Sequence, residues 1–145
     1  MQSISVKVYK DSFLLPKPKV KKKQVEGKLQ RDLGQLLNGV WAYRLNPNLV
    51  FWTYSGAGEY KPIKTAVWQN KKGLKRGDWD YRFEIIDGDI LKLVYLEAKS
   101  STGSLSKEQK EFRAKKDGLK NVSFGIFETV QEAEKLLLET MVFTK

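Results

Sequence analysis

Asp80, Glu97 and Lys99 bring two carboxylates and an ammonium into a spacing that can do chemistry. Glu97 and Lys99 close the run Ile90 to Lys99, rich in apolar and branched residues, which reads as a strand. Residues two apart on a strand point to one face, so both side chains can share a site. The preceding run, Tyr81 to Ile86, reads as a second strand, and Asp87-Gly88-Asp89 between them is a strong hairpin signal. If Asp87-Gly88 forms a two-residue loop, Asp80 lies opposite Tyr95, one diagonal step from Glu97. If Gly88-Asp89 forms it, Asp80 lies opposite Glu97 itself. Both registers put the three side chains on one face. A three-residue loop would set Asp80 opposite Leu96 and split the carboxylates across the sheet, unless a bulge restored the phase.

Two such carboxylates can bind Mg²⁺ or Mn²⁺, which polarises a phosphate and lowers the pKa of water. A neighbouring lysine can orient or deprotonate that water, or neutralise charge growing on phosphorus. The combination suits phosphodiester hydrolysis. The competing reading is structural, with Asp80 and Glu97 as edge carboxylates paired with some of the chain's 27 basic side chains. Glu-x-Lys also occurs at Glu26-Gly27-Lys28, Glu59-Tyr60-Lys61 and Glu108-Gln109-Lys110. Those three fall on predicted helices or in a loop, so only Glu97-Ala98-Lys99 gains from strand geometry.

The composition narrows the chemistry further. With no histidine and no cysteine, the chain offers no Ser-His-Asp triad, no thiolate zinc site, no iron–sulfur cluster and no cysteine nucleophile. Hard-cation chemistry through oxygen remains open. The 27 basic residues against 17 acidic ones give a net charge of +10, which suggests a polyanionic partner such as nucleic acid, with an anionic membrane surface as the rival. No apolar run approaches the roughly 20 residues of a membrane span, and Met1 to Asp11 lacks a signal-peptide pattern, so the expectation is a cytoplasmic protein that does not enter a membrane.

Several elements must position the three residues. Residues 1–22 read as an extended basic arm, because Pro16-Lys17-Pro18-Lys19 and the lysines that follow resist packing, and residues 23–145 read as one domain. Lys21, Lys22 and Lys23 are candidate phosphate contacts, as are Lys71, Lys72, Lys75 and Arg76. Val25, Leu29, Leu33, Leu36 and Leu37 recur at helical spacing from Gln24 to Asn38. Val40 to Leu45 reads as a strand, Leu49 to Tyr54 as another, and Ser55 to Arg76 as irregular exposed chain. Ser106 and Gln109 form a capping box for a helix running to about Asp117. A strand from Val122 to Phe127 follows, then a helix opened by Thr129 and Glu132 with Ala133, Leu136, Leu137 and Met141 on one face. This order predicts an α/β fold with a mixed central sheet. Trp41, Trp52, Trp68 and Trp79, with Tyr54 and Tyr60, are either core or surfaces for stacking on bases.

The run Gly73 to Gly77, Asp80, Glu97-Ala98-Lys99, Gly103-Ser104-Leu105-Ser106 and Gln109 resembles the PD-(D/E)XK nucleases, and within them the VRR-NUC family. The resemblance spans about Lys23 to Leu138 and is weaker at Glu26, at Arg44-Leu45-Asn46 and at Val130 to Leu137. It implies a restriction-endonuclease-like core, with Asp80, Glu97 and the Ala98 carbonyl binding Mg²⁺ or Mn²⁺, Lys99 catalytic, and Glu26 and Gln109 completing the site. It further implies a small stand-alone bacterial or phage endonuclease that acts as a homodimer on branched DNA, four-way (Holliday) junctions included. The family's Val-Pro before the aspartate is Asp78-Trp79 here, which makes Asp78 a rival of Asp80, although Asp80 keeps the spacing after Gly77. A helical Glu26 on a solvated face and a Gln109 in its own capping box also have ordinary structural explanations. A non-catalytic DNA-binding module of the same fold, an exonuclease and an RNA-acting nuclease are the alternative readings.

Overall fold

The computed structural model of the chain describes residues 22–56, 62–73 and 76–145. Helix α1, Lys22–Asn38, is followed by a single 3₁₀ turn, Ala42–Arg44, and strand β1, Leu49–Tyr54. Helix α2 is Ile63–Lys71, strands β2 and β3 are Tyr81–Asp87 and Ile90–Ala98, and helix α3 is Lys107–Ala114. Strand β4, Val122–Phe127, and helix α4, Val130–Glu139, complete the order. The four strands form one mixed sheet in the order β1-β2-β3-β4, antiparallel except where β3 runs parallel to β4 across the α3 connection.

Alternation along the strands divides the sheet into two faces. Phe83, Ile85, Val94, Leu96 and Phe127 meet Leu33 and Leu37 of α1 and Ala133 and Leu137 of α4 in the main core. Each large side chain fully buried there contributes roughly 1.5–3 kcal/mol. The opposite face carries Tyr95 and Phe124, whose rings stack at 5.1 Å, with Phe112 of α3 edge-on to Tyr95 at 5.2 Å and Trp79 edge-on to Phe124 at 4.8 Å. Helices therefore cover both faces. None of the helices among the described residues is long and apolar enough to cross a membrane.

Five local expectations need correction. Val40 to Leu45 is not a strand: Trp41 N–H donates to the Leu36 carbonyl, so the chain leaves α1 through tight turns, and Trp41 packs edge-on against Phe143. Only Leu45 makes a bridge, to Phe143. Within Ser55 to Arg76 the described residues, 55–56, 62–73 and 76, are mostly exposed, as expected, but include α2. Lys22 opens α1 rather than ending an extended arm, whereas residues 1–21 lie outside the described residues. Helix α4 stops at Glu139, and Met141, at φ 66°, turns out to solvent instead of continuing the apolar face. Likewise α3 is regular only to Ala114, with turns carrying the chain on to Gly118.

Candidate active site

The hairpin settles the register. Asp87 pairs with Ile90 and Tyr81 with Leu96, so Gly88-Asp89 is a two-residue loop and the next pair outward from Tyr81 and Leu96 is Asp80 and Glu97. Their contacts interlock: the Asp80 amide donates to Glu97 Oε2 at 2.9 Å, and the Ala98 amide donates to Asp80 Oδ2 at 3.0 Å. Both residues are buried, at 5% and 4% exposure, although each carries a group that prefers water. Lys99, just beyond the strand, holds its ammonium 3.2 Å from Glu97 Oε1.

These residues line a cleft of about 510 Å³ together with Glu26 and Gln30 of α1, Arg76, Gly77 and Asp78 of the turn before β2, and Ser106, Glu108 and Gln109 at the start of α3. The N-terminal half of α1, the start of α3 and the adjoining ends of β2 and β3 thus converge on one place. Five lining residues are acidic, Glu26, Asp78, Asp80, Glu97 and Glu108, and two are basic, Arg76 and Lys99, so this cleft in a chain of charge +10 carries a local formal charge of −3. Such a cleft attracts small cations.

Burial drives the electrostatics. Desolvation, with the neighbouring Glu97 charge second, lifts the Asp80 carboxyl from its ordinary 3.8 to about 7, against the opposing effects of Gln30, the Ala98 amide and Lys99. Burial also raises Glu97, while hydrogen bonds from Gln109 and the Asp80 amide, with the Lys99 charge, pull the other way. Burial thus disfavours charge on both carboxyls. The two carboxylates offer hard oxygen donors of the kind Mg²⁺ and Mn²⁺ prefer. Among the described residues, however, no three acidic side chains gather closely enough to hold a metal ion by themselves. Asp80 and Glu97 form the ligand pair that this cleft presents, and further donors would have to be backbone, amide or solvent oxygens.

The remaining sequence candidates fall out unevenly. Glu26 reaches the cleft, with Oε1 accepting from the Ser100 amide at 3.4 Å and lying so close to Gly103 that a Cβ there would stand 2.9 Å from it. Gln109 keeps its capping role through Ser106 and also faces the cleft, its side-chain amide 3.5 Å from the Asp78 carbonyl. Asp78 lines the cleft too, but one carboxylate oxygen accepts from the Trp79 amide, so Asp80 is the aspartate joined to Glu97. Ala98 is fully buried and contributes its amide to Asp80. Lys71 and Lys72 are exposed around the end of α2, and Arg76 borders the cleft, whereas Lys21 and Lys75 lie outside the described residues, as do the side chains of Lys22 and Lys23.

Two participants escaped the sequence reading. Gln30 donates to Asp80 Oδ2 at 2.8 Å and accepts at Oε1 from the Tyr54 hydroxyl at 3.2 Å. Nothing in the helix pattern of α1 singles it out, because its partners lie on strands far along the chain. Glu108 belonged to a Glu-x-Lys copy set aside because it falls on a helix, yet the packing of α3 against Gly77 brings it to the cleft. Compared with protein-family models, with curated proteins and with solved structures, the chain matches none.

Proposed function

We propose that the chain is a Mg²⁺- or Mn²⁺-dependent DNA endonuclease with a restriction-endonuclease-like core, related to the PD-(D/E)XK nucleases and their VRR-NUC family. The observation that carries this reading is the exchange between Asp80 and Glu97 beside Lys99, in a cleft of negative formal charge in a basic protein. The four-strand mixed sheet covered by helices on both faces is compatible with such a core.

The cation supplies Lewis acidity and charge neutralisation when bound. Asp80 and Glu97 would hold it, and the side-chain amide of Gln30 and the backbone amide of Ala98 keep Asp80 in place. Lys99, fixed by Glu97, presents an ammonium to a phosphate oxygen or to the attacking water, where positive charge stabilises the transition state. Arg76 lines the same cleft and would offer a guanidinium to a neighbouring phosphate. Branched DNA such as four-way junctions, and a homodimeric enzyme, follow from the family resemblance as the preferred substrate and state.

The lack of a third clustered carboxylate among the described residues favours one competitor, a DNA-binding module without catalysis. A panel of linear, flapped and four-way DNA, incubated with Mg²⁺, Mn²⁺ or EDTA, separates the two. Metal-dependent scission supports the nuclease; binding to every substrate without scission under any metal supports the module.

A further inference from the structure

Helix α2 is unusual in what it exposes. None of its nine residues, Ile63–Lys71, is buried. With about 100° between successive residues, Ile63, Lys64, Val67, Trp68, Lys71 and Lys72 fall on one half of the helix, and the partly covered Ala66 and Gln69 fall on the other. The outward half is therefore a mixed apolar and cationic stripe. Ile63 is 83% exposed and Trp68 60%, and the Lys72 ammonium sits 5.0 Å from the centre of the Trp68 ring.

The other three tryptophans are engaged elsewhere. Trp79 is fully buried, Trp52 stacks on Phe83, and Trp41 meets Phe143. Trp68 alone among them projects a large aromatic surface into solvent. Charge then selects its partner. From Pro62 to Gly77 the chain has five basic residues and no acidic one, which disfavours a basic or neutral protein face and favours a polyanion. A flat aromatic ring beside lysines matches an unpaired nucleobase flanked by phosphates, because every base offers a π-face while the backbone supplies the charge. A continuous duplex hides its base faces in the stack and would leave the ring without use.

We infer that α2 is a nucleic-acid-binding helix on which Trp68 stacks an unpaired base while Lys64, Lys71 and Lys72 hold the adjoining phosphates. The helix lies close to the cleft along the chain: Arg76, a cleft residue, comes five residues after Lys71, so the two are at most about 18 Å apart. This inference rests on the nuclease reading in one respect, that the strand held by α2 leads into that cleft. Together they describe an enzyme that selects DNA by its unpaired positions rather than by sequence.

The test measures binding of the full chain in EDTA, where no cleavage intervenes, to a labelled duplex and to the same duplex carrying an unpaired flap. Trp68→Ala should weaken flap binding about tenfold and duplex binding less than about twofold, and Trp68→Phe should restore most of the loss. Since α2 buries no residue, both variants should melt like the wild type. Equal loss on the two DNAs, or no loss on either, overturns the inference. So does a Trp68→Ala variant that detaches from anionic vesicles or dissociates a dimer while its preference for the flap is unchanged. If the wild type never cuts DNA but Trp68→Ala still loses flap preference, the nuclease reading fails and the binding helix stands. If the wild type cuts and Trp68→Ala binds both DNAs normally, the reverse holds.

Discussion

Asp80 and Glu97 are each held by the other's strand: the Asp80 amide donates to the Glu97 carboxylate, and the amide that follows Glu97 donates to the Asp80 carboxylate. This places two buried acids side by side, with Lys99, among the described residues, at ion-pair distance from Glu97. An arrangement with that much unbalanced charge costs stability, and the cost has a pH dependence that can be measured.

The folded-state pKa of Asp80 lies at about 7, above its ordinary 3.8, so the fold binds this proton more tightly than the unfolded chain does. The stability gained is fully present below about pH 4 and is lost as pH rises through about 7. Glu97, also raised, acts in the same direction. In EDTA the wild type should therefore melt lower at pH 8 than at pH 5. Asp80→Asn, which keeps an acceptor for Gln30 and Ala98, should flatten that profile and gain on the order of 2 kcal/mol at pH 8. Thermal unfolding across this range checks it; identical profiles for the two proteins would mean that Asp80 is not buried as a charge.

Metal titration should divide the site into ligands and helper. Asp80→Ala and Glu97→Ala should lose both cleavage and metal-induced thermal stabilisation. Lys99→Ala should keep the metal effect and lose cleavage by about a hundredfold or more, since it removes charge from the transition state rather than a ligand. A Lys99→Ala protein that no longer responds to Mn²⁺ would show that the lysine builds the site instead.

Gln30 is a positioning residue, because it acts through Asp80 and is itself oriented by Tyr54. Gln30→Leu should raise the Mn²⁺ concentration needed for half-maximal cleavage about tenfold, with a smaller change at saturating metal. Tyr54→Phe should shift it less. A loss of maximal rate with unchanged metal dependence would assign Gln30 a different task.

Gly77 holds the turn before Asp80 against α3. Its φ is +95°, and a Cβ there would stand 2.8 Å from the Glu108 carbonyl oxygen, so Gly77→Ala meets both backbone strain and a clash. A loss of about 2 kcal/mol in unfolding free energy is expected, with weakened cleavage from the displaced Asp78–Asp80 segment. A denaturant midpoint equal to the wild type's would show that the turn yields freely.

The hairpin was legible in the sequence because its alternation, its turn residues and the Glu97–Lys99 spacing all impose one period, and the register then follows from loop length alone. The Ser106–Gln109 capping box was legible for a similar reason, since both partners are local. Val40 to Leu45 misled because aromatic and branched residues suit a strand, while the contact that decides its conformation, Trp41 on Phe143, is a hundred residues away in the chain. Helix α2 was hidden by the prolines and glycines around it, and its apolar residues face solvent rather than a core that would have produced a clear period. Gln30 was invisible because a polar residue on a helix has no signature until the fold supplies Asp80 and Tyr54.

The most direct test is a time course of four-way junction cleavage in Mg²⁺ by the wild type and by Glu97→Gln, purified identically and compared in the same assay. Glu97→Gln keeps the size and an acceptor for the Asp80 amide while removing the charge. The wild type should cut, EDTA should stop it, and the variant should be slower by at least about a hundredfold while binding the junction as well as before. Cleavage by Glu97→Gln at the wild-type rate, or no cleavage by the wild type of any branched, flapped or linear DNA in Mg²⁺ or Mn²⁺, would contradict a nuclease site at Asp80, Glu97 and Lys99.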